Sequence, residues 1–216
     1  MNKRAFQPAF FHYFPLPMIF VTFTGLDGSG KSTQVNLLKE KLKQEKKTFL
    51  GFHIIEFSLA NRLAGRVAPR ADRPAKTEAG KISLNLRKIF LLIDLVRFRF
   101  FFRQARRKKV DFLLADRYFF DQIVNILYLE KSAIPLKKPW WQKTAEKFLI
   151  KPQLAFYFHI RPENILSRNR EIEQNLNYLE KKRAFLDKFS TDWDLKKIPA
   201  EETPEKIGRA SCRERV

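Results

Sequence analysis

Apolar residues along the chain follow two spacings. Short runs rich in β-branched and aromatic residues occur at 18–24 (MIFVTFT), 110–115 (VDFLLA), 153–160 (QLAFYFHI) and 193–198, and a further one lies within 48–57. Each reads as a strand. Between them the apolar positions recur every three or four residues. Val35, Leu38 and Leu42 mark an amphipathic helix over 31–46, and Leu91, Leu95, Phe98, Phe102 and Ala105 form a stripe along 83–109. Shorter helices are predicted at 119–130 and 140–148, where Trp140 and Trp141 read as core anchors, and 162–189 is helical with a break near Arg170. The segment 69–81 is loop-like. Strand and helix alternating in this way predict an α/β fold, a parallel sheet covered by helices on both faces.

Composition narrows the class. The chain has 216 residues, 44% of them apolar, enough to bury a core despite 43 Lys and Arg against 23 Asp and Glu, so disorder is excluded. Its one cysteine, Cys212, cannot build a disulfide framework, so the chain reads as cytoplasmic. The greasiest stretches, 18–24 and 89–102, are short or carry Asp94, Arg97 and Arg99, and no membrane span is predicted.

Both ends are set aside. Residues 1–17 form an N-terminal extension whose aromatics are broken by Pro8, Pro15 and Pro17, and Met18 could be the true start. The last ten residues, IGRASCRERV at 207–216, resemble the translation of a widely used sequencing adapter and are read as non-native. The ends carry Lys3, Arg4, Arg209, Arg213 and Arg215 against Glu214, too little to account for the net charge of +20. A polyanionic partner is therefore expected of the core, nucleotide phosphates first.

Gly25-Leu26-Asp27-Gly28-Ser29-Gly30-Lys31-Ser32-Thr33 fits G-x-x-x-x-G-K-[ST] between a strand and a helix, the context that this phosphate-binding loop requires. Its glycines let successive N–H groups converge on a phosphate, and the helix N-terminus adds its dipole. Lys31 should reach the β- and γ-phosphates of ATP, and Ser32 should ligate Mg²⁺. Asp27 sits awkwardly among groups that hold anions, so it is expected to face an acceptor.

Elements that read guanine are missing, which points away from GTPases and toward small kinases. Asp116-Arg117-Tyr118 closes the strand at 110–115, where open α/β sheets bind ligands. There Asp116 is a candidate Mg²⁺ ligand and Arg117 a candidate grip on an acceptor phosphate. Arg168 and Arg170, after Pro162-Glu163, are candidates for a lid that closes over the transferred group.

FTGLDGSGKSTQ, LLADRY and PENILSRNR, in this order and spacing, resemble the thymidylate kinase family over 18–206. The resemblance implies the P-loop NTPase fold with a five-stranded parallel sheet and transfer of the γ-phosphoryl group of Mg-ATP to dTMP. It implies that Gly25, Gly28, Ser29, Gly30, Lys31, Ser32 and Thr33 hold ATP, and that Asp27, Arg97, Arg117, Tyr118 and Asp121 line the acceptor pocket, with Arg97 on the base. It places Ile198-Pro199-Ala200 beside adenine, and family members are commonly dimers. The departures fall on the acceptor side. Glu56-Phe57-Ser58-Leu59 replaces an Arg-Glu-Pro-Gly-Gly-Thr-like loop, Ile93 replaces an aromatic, and Asp121 stands where serine is typical. Another small acceptor is therefore an alternative. A further one is nucleic-acid or membrane binding by 97–109, with seven basic residues and no acid, although neither is the expected partner.

Overall fold

A computed structural model of the chain describes residues 18–63, 80–131, 137–167 and 176–201. Five strands form one all-parallel sheet: β1 (Ile19–Gly25), β2 (Phe49–His53), β3 (Phe112–Asp116), β4 (Leu154–His159) and β5 (Lys196–Pro199), in the order β2-β3-β1-β4-β5. Helices α1 (Lys31–Gln44), α2 (Ile54–Phe57), α3 (Leu59–Leu63), α4 (Lys81–Arg107), α5 (Phe119–Leu129), α6 (Trp140–Phe148), α7 (Pro162–Leu166) and α8 (Leu176–Phe189) flank it. Consecutive positions of β1, β3 and β4 are buried, as expected of parallel strands covered on both faces. This is the α/β architecture expected from the alternation of periods. The connection leaving β1 runs toward β2, whereas those leaving β3 and β4 run the other way, so the carboxyl end of β1 lies at a topological switch point.

Phe98 of α4 fills the centre of the β2–β3–β1 half. It is fully buried, with ring centroids of Phe52, Phe119, Tyr118 and Phe20 at 5.1, 5.5, 5.5 and 5.7 Å. Tilted and edge-on pairs of this kind add to the area they bury. Phe101 and Phe102 pack against the same core, so the aromatics interleaved with the basic residues of α4 face inward. Phe100 does not, at 59% exposed.

β2 lies within 48–57 as expected and ends at His53, whose Nδ1 accepts from the Ile55 amide and turns the chain into α2. Two local expectations change. The last strand starts at Lys196. Trp193 lies in the preceding turn, stacked on Phe120 at 4.9 Å. Of the two tryptophans only Trp141 is a core anchor. Trp140 is 73% exposed, because adjacent helical residues point about 100° apart.

Candidate functional site

The site grows from the end of β1. Gly25, Gly28 and Gly30 have φ of 148°, 81° and 88°, the region that favours glycine. A Cβ at Gly25 would also meet the Phe158 carbonyl oxygen at 2.8 Å. Gly30 is the N-cap of α1, so the loop turns directly into the helix.

Lys31, the first residue of α1, folds back into this loop. Its Nζ donates to the carbonyl oxygens of Gly25 (2.9 Å) and Leu26 (2.5 Å) and to Ser29 Oγ (3.2 Å), which uses all three protons of the ammonium. Burial lowers its pKa from 10.5 to about 8; Asp121 and Asp116 oppose the shift, and Lys182 of α8 adds to it. Next to it, Ser32 Oγ donates to Asp116 Oδ2 at 3.0 Å. Asp116 Oδ1 is buried and has no hydrogen-bond partner. A hydroxyl and a carboxylate with one unused oxygen are hard donors of the kind that suits Mg²⁺, which normally draws its other ligands from phosphates and water. Among the described residues no cluster of three or more His, Cys, Asp or Glu could hold a metal. Thr33 is exposed on the first turn of α1.

Register places the second part of the site alongside. Phe23 of β1 pairs with Asp116 of β3, and the Arg117 amide donates to the Phe23 carbonyl at 3.0 Å. Arg117 has φ 69°, and its guanidinium lies between two carboxylates, paired with Asp27 and 3.7 Å from Asp121. Asp27 therefore meets Arg117. Asp121 is 9% exposed. Its Oδ2 accepts from Thr24 Oγ1 (3.0 Å) and from the Tyr118 amide (3.2 Å), which ties β1 to the start of α5. Tyr118 itself lies in the core, its hydroxyl donating to the Ile150 carbonyl at 2.9 Å.

Arg97 sits on α4 beside the segment after β2. Its Nη1 donates to Asp94 Oδ1 and, at 3.1 Å, to the Phe57 carbonyl, and its Cζ lies 4.9 Å from the Phe57 ring centre. Asp94 is completely buried and also accepts from the Leu59 amide. Burial raises its pKa, against hydrogen bonds from Leu59, Arg97 and Ser58. Reasoning from sequence missed Asp94, Phe57, Thr24 and Lys182. The available signal for Asp94 was a lone acid at an apolar-stripe position three residues before Arg97.

Ile198, Pro199 and Ala200 run at the end of β5, the Ala200 amide donating to the His159 carbonyl at 2.9 Å. Arg168 and Arg170 lie outside the described residues, as do 1–17, 64–79, 132–136 and 202–216. Among the described residues no helix is long and apolar enough to cross a membrane.

No family model matches the chain. It is similar to a protein named probable thymidylate kinase from Methanosphaera stadtmanae: 27% identical over 194 residues, covering 88% of this chain and 93% of that one.

Proposed function

We propose that the chain is a P-loop kinase of the thymidylate kinase type, transferring the γ-phosphoryl group of ATP to a nucleoside monophosphate, dTMP first. The observation that carries this reading is the Lys31 ammonium buried in a ring of loop oxygens beside the Ser32–Asp116 pair, at the carboxyl end of the central strand. The similarity to a probable thymidylate kinase along most of both chains supports the same class.

In this reading the loop amides from Gly25 to Thr33 bind the ATP phosphates. Lys31 exchanges its contacts with the Gly25 and Leu26 carbonyls for phosphate oxygens, which are charged and therefore stronger acceptors. Ser32 and Asp116 would hold Mg²⁺, which supplies charge neutralisation on the β- and γ-phosphates when bound. Arg117 grips the acceptor phosphate and gives up its bond to Asp27, which then orients the acceptor, with Asp121 keeping Arg117 in place. Arg97 reads the base, and Arg168 and Arg170 close from the lid. An oxygen of the dTMP phosphate attacks the γ-phosphorus, the bond from that phosphorus to the β–γ bridging oxygen breaks, and ADP and dTDP result. Catalysis is positioning and charge stabilisation throughout.

A homodimer is part of the same reading. Ile82, Leu86, Ile89, Ile93, Val96 and Phe100 are all exposed on α4, at alternating steps of four and three, the seam that packs against another helix. Glutamate at Ile89 should give a monomer by sedimentation equilibrium; a wild-type chain that is already monomeric removes the dimer.

The kinase reading is tested by incubating the chain with radiolabelled ATP, Mg²⁺ and a panel of nucleoside monophosphates, nucleosides and sugars. Labelled dTDP is the expected product. Transfer only to another acceptor keeps the kinase and replaces dTMP, and a chain that transfers phosphate to nothing in the panel refutes the proposal.

A further inference from the structure

Asp94 is the one acid on α4, a helix with eight basic residues, and it has no exposed surface. A carboxylate buried this deeply costs several kcal/mol unless its charge is met. Two groups meet it. The Leu59 amide approaches both oxygens, at 3.1 and 3.0 Å, and Arg97 Nη1 approaches Oδ1. The amide does not need a charge, since the oxygen of a neutral amide or hydroxyl would also accept its proton, though more weakly. What requires the ionised form is Arg97, whose head is fixed by the Asp94 carboxylate, the Phe57 carbonyl and the face of the Phe57 ring. These contacts also tie Phe57, Ser58 and Leu59, the segment that replaces the family's acceptor-phosphate loop, to α4.

We propose that Asp94 is a positioning residue for acceptor recognition, holding the Arg97 guanidinium against Phe57 in the orientation that reads the acceptor's base. The inference rests on the kinase reading above, in which Arg97 contacts the acceptor. Asp94 touches neither substrate. It acts by removing the freedom of a long side chain that would otherwise have to be ordered at each binding event.

Asp94→Asn separates the two roles, because it keeps an oxygen for the Leu59 amide and removes the charge that holds Arg97. Steady-state kinetics with dTMP and ATP should show the KM for dTMP raised about tenfold or more, the loss of one charge-assisted hydrogen bond. The KM for ATP and kcat should stay within about twofold. Arg97→Ala should raise the dTMP KM too, and the double variant should be no worse than Arg97→Ala alone, since both changes remove one function. Should Asp94→Asn fail to fold, Asp94→Ser carries the same expectation. An unchanged dTMP KM, or equal shifts in the dTMP and ATP constants from general loosening, overturns the proposal. A wild-type chain that transfers phosphate to nothing in the panel is a different outcome: it refutes the kinase reading, and this inference falls with it.

Discussion

The buried ammonium of Lys31 makes folding stability depend on pH in a way that one substitution removes. Burial lowers its pKa from 10.5 to about 8. Folding therefore penalises the charged form by about 3 kcal/mol, at 1.36 kcal/mol for each unit. The penalty is fully present below pH 8, where the folded and unfolded chains both carry the proton. Between pH 8 and 10.5 the unfolded chain binds more protons, so this group makes stability rise with pH. Lys31→Met has no such group. Urea unfolding of both proteins should give a difference, wild type minus variant, that grows by about 2–3 kcal/mol from pH 7 to pH 10. Tyr118 and Tyr157, whose pKa values are raised by burial, work in the opposite direction above pH 10. They are common to both proteins and cancel in the difference. A second arm uses the ligand: in the proposed function ATP would replace carbonyls by phosphate around Lys31 and restore the ammonium. Binding at pH 9 should take up roughly one proton and at pH 7 almost none, read by calorimetry in buffers of different ionisation enthalpy. A stability difference that stays flat or falls from pH 7 to 10 would refute the buried, charge-penalised lysine.

Three other changes follow from the same geometry. Asp116→Asn should lower kcat about a hundredfold or more with little change in melting temperature, because the orphaned oxygen of Asp116 faces no structural partner; turnover at saturating Mg²⁺ close to that of the wild type contradicts this. Gly25→Ala should destabilise by about 1–3 kcal/mol in urea, because its Cβ would sit 2.8 Å from the Phe158 carbonyl. Phe98→Ala should cost about 3–5 kcal/mol, given its full burial among the rings of Phe20, Phe52, Phe101, Tyr118 and Phe119, and a variant within about 1 kcal/mol of wild type would mean the core relaxes around it.

The sheet and the glycine loop were legible because they rest on local signals. The β-branched and aromatic runs of β1, β3 and β4 differ in period from the helices between them, and the loop's glycines mark the positions where the backbone takes positive φ. Details decided by tertiary contact were not legible. Nothing in WW after Pro139 says which ring faces Lys88, whose Nζ lies 5.7 Å from the Trp141 ring. His53 ends β2 by a side-chain bond to the backbone that competes with the strand ladder. In the site, the glycine turn into α1 could be read from spacing, but the pairing of Arg117 with Asp27 depends on which strands the sheet order brings together, and the contact of Arg97 with Phe57 on how α4 packs against the segment after β2. Asp121, read as part of the acceptor pocket, is also the bolt between Thr24 and Tyr118.

The strand order has a consequence for how the chain comes to be folded. β1 leaves the ribosome first among the described elements, yet both its neighbours lie far downstream: Ile19 pairs with Phe112 and Val21 with Leu154, and a bond from the Phe20 amide to Gln153 Oε1 spans 133 residues. During synthesis its greasy residues and the glycine loop behind them wait without a partner while most of the polypeptide is made. Large loops must close before any reward is gained, so maturation should be slow and should lean on chaperones, and a nascent chain halted before β4 exposes one edge of the strand that carries the glycine loop.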